Sequence, residues 1–181
     1  KHVLTGTPFG WKDAHTPPHN WNVKYQIDPH PDKPIAVLFV AISPKGHVVV
    51  YNEIFSNDIV LKVAKDIKKI TDRGGFCTGG QMDPLAWTPD PRDKSCMAND
   101  FAVVGLDIGK GVKDPGRGIL LTKQQLSRRS GFYVHEGCQQ FLWEIERYMW
   151  DPKNPGKPLK KNDDLMECMN RHSIWGYDWV D

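Results

Sequence analysis

The chain has 181 residues, the size of one compact α/β domain, with the 39% apolar and 25% charged residues of an ordinary globular protein. A formal net charge of +2 excludes a global basic field, so any nucleic-acid contact has to come from local Lys and Arg clusters. No apolar run approaches the ~20 residues of a membrane span. No secretory signal is read, and Cys77, Cys96, Cys138 and Cys168 lack both C-x-x-C and zinc spacing, which points to reduced cytosolic thiols.

Residues 1–20 hold Gly6, Pro8, Gly10, Pro17 and Pro18 and are expected to be an irregular lead-in. Because the chain starts at Lys1 without Met, this lead-in is expected to continue a missing N-terminal part, with residues 21–181 as one domain. Trp21 to Asp28 alternates loosely and stops before Pro29, as a strand does. Residues 34–43 (PIAVLFVAIS) form a continuous apolar run, expected of a strand buried on both faces. The turn Pro44-Lys45-Gly46 should return the chain antiparallel through residues 47–55. A helix follows, with Ile59, Val60, Val63, Ala64, Ile67 and Ile70 on one face, Ser56 or Asn57 as its cap and Gly74-Gly75 as its end. Residues 76–83 read as a strand, 84–99 as a loop and 101–108 (FAVVGLDI) as another strand. A helix over 116–129, a strand over 131–136, a helix over 138–150, a Pro/Gly/Lys loop over 151–161 and a last short helix over 162–171 complete the order. An antiparallel start followed by alternating strands and helices predicts an α/β fold, a mixed central sheet with helices on both faces.

The acidic positions stand at telling places. Asp28 and Asp83 end strands, and Asp163-Asp164 open the last helix. The carboxyl ends of neighbouring parallel strands meet where α/β proteins bind ligands. Carboxylates gathered there repel unless a cation neutralises them, and hard oxygen donors suit Mg²⁺ or Mn²⁺. Each Asp also has a simpler reading, since Asp before Pro starts turns and Asp at a helix start caps it.

A family resemblance runs through these same residues. The opening YQIDPHPDKPIAVLFVAISPKGHVVVYNEIF, the QMDP segment and the closing GFYVHEGCQQFLWEIERYMWDPKNPGKPLKKNDDLMECMNR resemble, in order and spacing, the nuclease domain of the viral terminase large subunit. The likeness spans about residues 20–172. It implies an RNase H-like fold, with a mixed five-stranded sheet that carries Asp28 in its middle, and a metal-dependent endonuclease that cuts concatemeric double-stranded viral DNA during packaging. The ligands it implies for two Mg²⁺ or Mn²⁺ ions are Asp28, Asp83 and Asp164, with Asp163 as a fourth. It further implies an N-terminal ATPase domain, a small terminase subunit and a portal as partners, and the cytoplasm of an infected host cell as the location. No G-x-x-x-x-G-K-[ST] phosphate loop of such an ATPase is found in this chain. Two departures from the family pattern are His30-Pro31 after the first Asp and Glu167 where a second Asp commonly closes the last motif; Glu167 is read as a bystander.

Other residues rank lower. Asp107, in VVGLDIGKG, could open a phosphate-binding segment, but only a short stretch of chain follows it, and a loop role is expected. Glu53 is read as a solvated edge carboxylate, and His30 and His135 as surface or structural residues. Lys157, Lys160 and Lys161, then Arg128 and Arg129, are the candidate DNA contacts, through phosphates rather than bases. Lys110, Lys113 and Arg117 form a further basic group. The alternatives are another RNase H-like nuclease, such as a junction resolvase or transposase core, or a non-catalytic domain that holds DNA or a portal.

Overall fold

The computed structural model of the chain describes residues 2–30, 32–92 and 94–180; Pro31 of the His30-Pro31 pair lies outside them. Three antiparallel strands start the sheet: β2 (Asn22–Asp28), β3 (Ile35–Ile42) and β4 (Val48–Ser56). Their apolar run and turn explain the arrangement, because Gly46 takes the positive φ of 76° that the β3–β4 turn needs and Ser43 accepts its amide at 2.9 Å. β5 (Phe76–Met82) then joins parallel to β2, and β7 (Phe132–His135) joins parallel to β4.

The sheet is wider than the five strands expected. Among the described residues it has seven, in the order β1-β7-β4-β3-β2-β5-β6, because the short β1 (Val3–Leu4) and β6 (Ile108–Lys110) extend its edges. The lead-in is therefore not wholly irregular: Val3 pairs with Val134, and Trp11 is buried against Trp21 and Tyr51.

β3 shows how the two layers form. Ile35, Val37, Phe39 and Ala41 enter one core with Val63, Ala64 and Ile67 of α1 (Val60–Thr71). Ala36, Leu38, Val40 and Ile42 enter the other, with Phe141 of α4 (Gln139–Arg147) and Leu165, Cys168 and Met169 of α5 (Asp164–Trp175). A strand covered on both faces has no polar side to alternate with, so every one of its residues is buried. Each large side chain buried this way contributes about 1.5–3 kcal/mol. α3 (Pro115–Ser127) packs on α5, and Gly118 permits the close approach: a Cβ there would lie 2.9 Å from the Asn170 Cβ.

Three local expectations are corrected. Residues 101–108 are not a strand, because Phe101 is fully buried at the end of α2 (Met97–Ala102) and Gly105 turns the chain with a φ of 77° before β6. A short apolar run reads alike as helix or strand until its packing partners decide. Neither Ser56 nor Asn57 caps α1, whose N-cap is Ile59 with no side-chain bond. The final helix runs past Arg171 to Trp175 and stops at Gly176, where φ is 90°.

Candidate active site

Parallel pairing of β2 and β5 sets Ile27 beside Met82, so the next residues of the two strands, Asp28 and Asp83, emerge together. The Asp83 amide donates to the Ile27 carbonyl at 3.1 Å and fastens this junction. Asp83 also fills its turn-starting role, since its Oδ1 accepts the Leu85 amide at 2.8 Å and caps the 3₁₀ turn Pro84–Trp87. Its other oxygen is left for the site.

α5 supplies the third wall. Its N-terminus is held by Glu144 of α4, which is fully buried and accepts the amides of Leu165 and Met166 at 2.9 and 3.0 Å. Burial pushes the Glu144 carboxyl up to about 7, and neighbouring Asp164 adds to the rise against those hydrogen bonds. Asp164 thereby sits at a fixed helix start, half-buried, with no side-chain hydrogen bond or ion pair among the described residues. Burial raises the pKa of Asp28; Arg171 opposes the rise, and Asp83 and Asp164 reinforce it. Asp83 and Asp164 thus both lie within electrostatic reach of Asp28.

A cation already stands between two of them. Arg171, only 4% exposed, donates through Nη2 to Asp28 Oδ1 at 2.7 Å and through Nη1 to Asp83 Oδ2 at 2.9 Å. Lys113 donates to the same Asp83 oxygen at 3.2 Å. Burial works against the Arg171 charge, but Asp28, Asp83 and Glu167 outweigh it and its pKa is raised. The adjoining His172 adds no charge: burial pushes its ring down to about 3, and Nε2 meets the Leu38 carbonyl at 2.9 Å.

Hard oxygens from three elements suit a divalent cation chemically. As the chain stands, however, no three Asp, Glu, His or Cys side chains among the described residues are grouped to hold a metal. The guanidinium occupies the space between Asp28 and Asp83.

Asp163 turns elsewhere, toward Lys160 at 3.4 Å. Lys160 also pairs with Glu167, which lies 3.9 Å from Arg171. Glu167, read as a bystander among the acidic residues, thereby links the Lys160 loop to Arg171. Nor is Glu53 solvated, since it accepts the Gln140 and Phe141 amides, both at 2.8 Å, and caps α4. His135 is structural, bonded to Gly6 and Gly137. Asp107 is exposed and uses its backbone carbonyl, which accepts the Gly80 amide and the Tyr25 hydroxyl below the acidic end of the sheet.

The basic candidates divide. Lys157 and Lys160 line a groove of about 490 Å³ with Pro115, Ile119, Trp150 and Asp151, against the start of α3, and Lys161 is exposed in the same loop. Arg128 and Arg129 precede Phe132, which pairs with Val48; that is the level of Asn22, the opposite end of β2 from Asp28. The fold does not bring them to the acidic site.

No family model and no curated protein sequence matches the chain. Solved structures do. The large terminase of a thermophilic bacteriophage, in complex with ADP, matches 94% of the chain with a TM-score of 0.72 at 17% identity; the chain spans 41% of the length of that protein. The P22 large terminase nuclease domain matches 94% of the chain and 84% of its own length, with a TM-score of 0.70 at 15% identity. The chain has the fold of the large-terminase nuclease domains. That fold is RNase H-like. The large terminase nuclease of thermophilic phage G20c, solved with bound cobalt, matches 84% of the chain and 81% of its own length, with a TM-score of 0.52 at 12% identity.

Arg171 and Glu144 are the site residues that sequence reasoning passed over. The signal for Arg171 was available: Asp164, Glu167 and Arg171 recur at i, i+3 and i+7, one helical face. Glu144 gave no such sign, because an acidic residue on an amphipathic helix reads as its polar face.

Proposed function

We propose that the chain is a divalent-metal-dependent DNA endonuclease domain that cuts concatemeric viral DNA during genome packaging. The convergence of Asp28, Asp83 and Asp164 at one end of a terminase-nuclease sheet carries this reading. The cobalt bound to the related G20c nuclease supports the metal. Asp28, Asp83 and Asp164 would hold two Mg²⁺ or Mn²⁺ ions, with Asp163 reached only by a turn of its side chain from Lys160. Such ions, when bound, supply Lewis acidity and neutralise charge developing on the phosphate. Glu144 keeps the start of α5 in place, and Lys113 and Lys160 bring positive charge to the rim. Double-stranded DNA is the proposed substrate. An ATPase domain, a small terminase subunit and a portal are the proposed partners, in the cytoplasm of an infected host cell. Residues 21–181 would form the nuclease domain, and no helix among the described residues is long and apolar enough to cross a membrane.

The test is plasmid cleavage by the whole chain in Mn²⁺ against EDTA. Nicking is expected in Mn²⁺ and background in EDTA; equal rates would sink the metal-dependent mechanism. A non-catalytic DNA-holding domain is the second reading, favoured by the Arg171 pairs that occupy the acidic site. It is the conclusion if DNA is retained but left intact in Mn²⁺.

The DNA path is expected over the Lys157–Lys161 loop. Lys157 and Lys161 make no side-chain ion pair among the described residues, so replacing both with Ala should weaken duplex binding on any sequence. The slope of log affinity against log salt should flatten by about 2, roughly one for each phosphate that is no longer neutralised. An unchanged slope places the duplex elsewhere.

A further inference from the structure

A divalent ion between Asp28 and Asp83 would need the oxygens that Arg171 holds on both residues and that Lys113 shares on Asp83. A bound Mg²⁺ takes carboxylate oxygens at about 2.0–2.1 Å and requires their lone pairs. Those of Asp28 Oδ1 and Asp83 Oδ2 already accept Nη2 and Nη1 of Arg171 at 2.7 and 2.9 Å. Like charges brought to the same oxygens repel strongly in a buried setting. The arrangement is also specific: one planar fork spans two carboxylates from different strands, which a Lys ammonium cannot match.

We propose that Arg171 is the resident countercation of the metal-free site and competes directly with a divalent ion for Asp28 and Asp83. This rests on the metal-dependent reading given above. Without an ion, the guanidinium neutralises the carboxylates and holds β2, β5 and α5 together. When an ion arrives, Arg171 gives up both oxygens and keeps Glu167, its neighbour one helical turn back. Metal affinity in the chain is therefore set partly by the strength of an internal salt bridge. By linkage, a ligand that draws Arg171 away from Asp28 tightens metal binding, and bound metal tightens that ligand by the same factor. A DNA phosphate at the rim would do this, since a guanidinium binds phosphate bidentately.

The experiment measures Mn²⁺ affinity of the whole chain by electron paramagnetic resonance of the free ion, for wild type, Arg171→Gln and Arg171→Lys. Arg171→Gln should melt lower without metal yet bind Mn²⁺ at least about tenfold tighter, with Arg171→Lys between. A second measurement serves even if Arg171→Gln fails to fold. In the wild type, Mg²⁺ should shift the Arg171 guanidinium resonances, identified by their loss in Arg171→Lys, toward solvent-exchanging values. Equal or weaker Mn²⁺ binding by Arg171→Gln would overturn the competition and leave the metal-dependent nuclease standing. So would Mg²⁺ binding that leaves the Arg171 resonances unmoved. If neither wild type nor Arg171→Gln binds Mn²⁺, the nuclease reading itself falls.

Discussion

Asp28→Asn is expected to remove the proposed metal-dependent nicking of supercoiled plasmid, a loss of at least about a thousandfold, while the fold persists. Both Asp83 and Asp164 act on the protonation of Asp28. Asn keeps the shape and an oxygen that accepts from Arg171, but it lacks the charge a divalent ion needs. The guanidinium is not orphaned by the change, since Asp83 still accepts Nη1 at 2.9 Å and Glu167 stays near. The melting temperature should therefore move by no more than a few degrees, because the burial cost of one carboxylate goes with its ion pair. Asp107→Asn is the control. Its side chain is exposed and its structural work is done by a backbone carbonyl, so cleavage and melting should both match the wild type. An inactive Asp107→Asn beside an active Asp28→Asn, both folded, would mean that the acidic site is centred elsewhere.

The second large effect concerns the strand that carries Asp83. Gly80→Ala should cost about 3 kcal/mol, lowering the melting temperature of a chain this size by roughly 6–12 °C. Tyr25 of β2 lies directly across from Gly80 of β5 in the sheet. Its ring leans over the glycine so closely that a Cβ there would stand 2.0 Å from Tyr25 Cε2. The ring is buried, packs 6.0 Å from Phe39 and donates its hydroxyl to the Asp107 carbonyl, so it cannot swing away cheaply. The strand must shift instead, and Asp83 lies three residues on. Combining Gly80→Ala with Tyr25→Leu should recover much of the loss, because the two residues share one space. If Gly80→Ala melts with the wild type, the Tyr25 ring has room that the packing denies it.

Much of this architecture was legible along the chain. The run over 35–42 announced a strand buried on both faces, and Gly46 announced the hairpin that follows. The periodicity of Val63, Ala64 and Ile67 marked the face of α1 that meets the sheet. These are local properties, written in the spacing of apolar residues and the backbone freedom of glycine. Asp28 and Asp83 were also readable as strand-end acids, and the resemblance put them beside Asp164.

Charge pairing at distance was not readable. Arg171 is 143 residues from Asp28 and 88 from Asp83, and only the parallel pairing of β2 with β5 under α5 delivers one guanidinium to both. Glu53 and Glu144 looked like polar-face residues, yet each is spent on the first amides of a helix that another element carries. Arg128 and Arg129 stood as a further DNA-contact candidate beside the better-placed Lys157–Lys161 loop, and strand direction puts them at the far end of the sheet. The sequence by itself determined which segments fold and which acids end strands, because local periodicity encodes burial. Only the tertiary structure decided which charges meet, because a buried ion must find a partner wherever the packing brings one, however far along the chain.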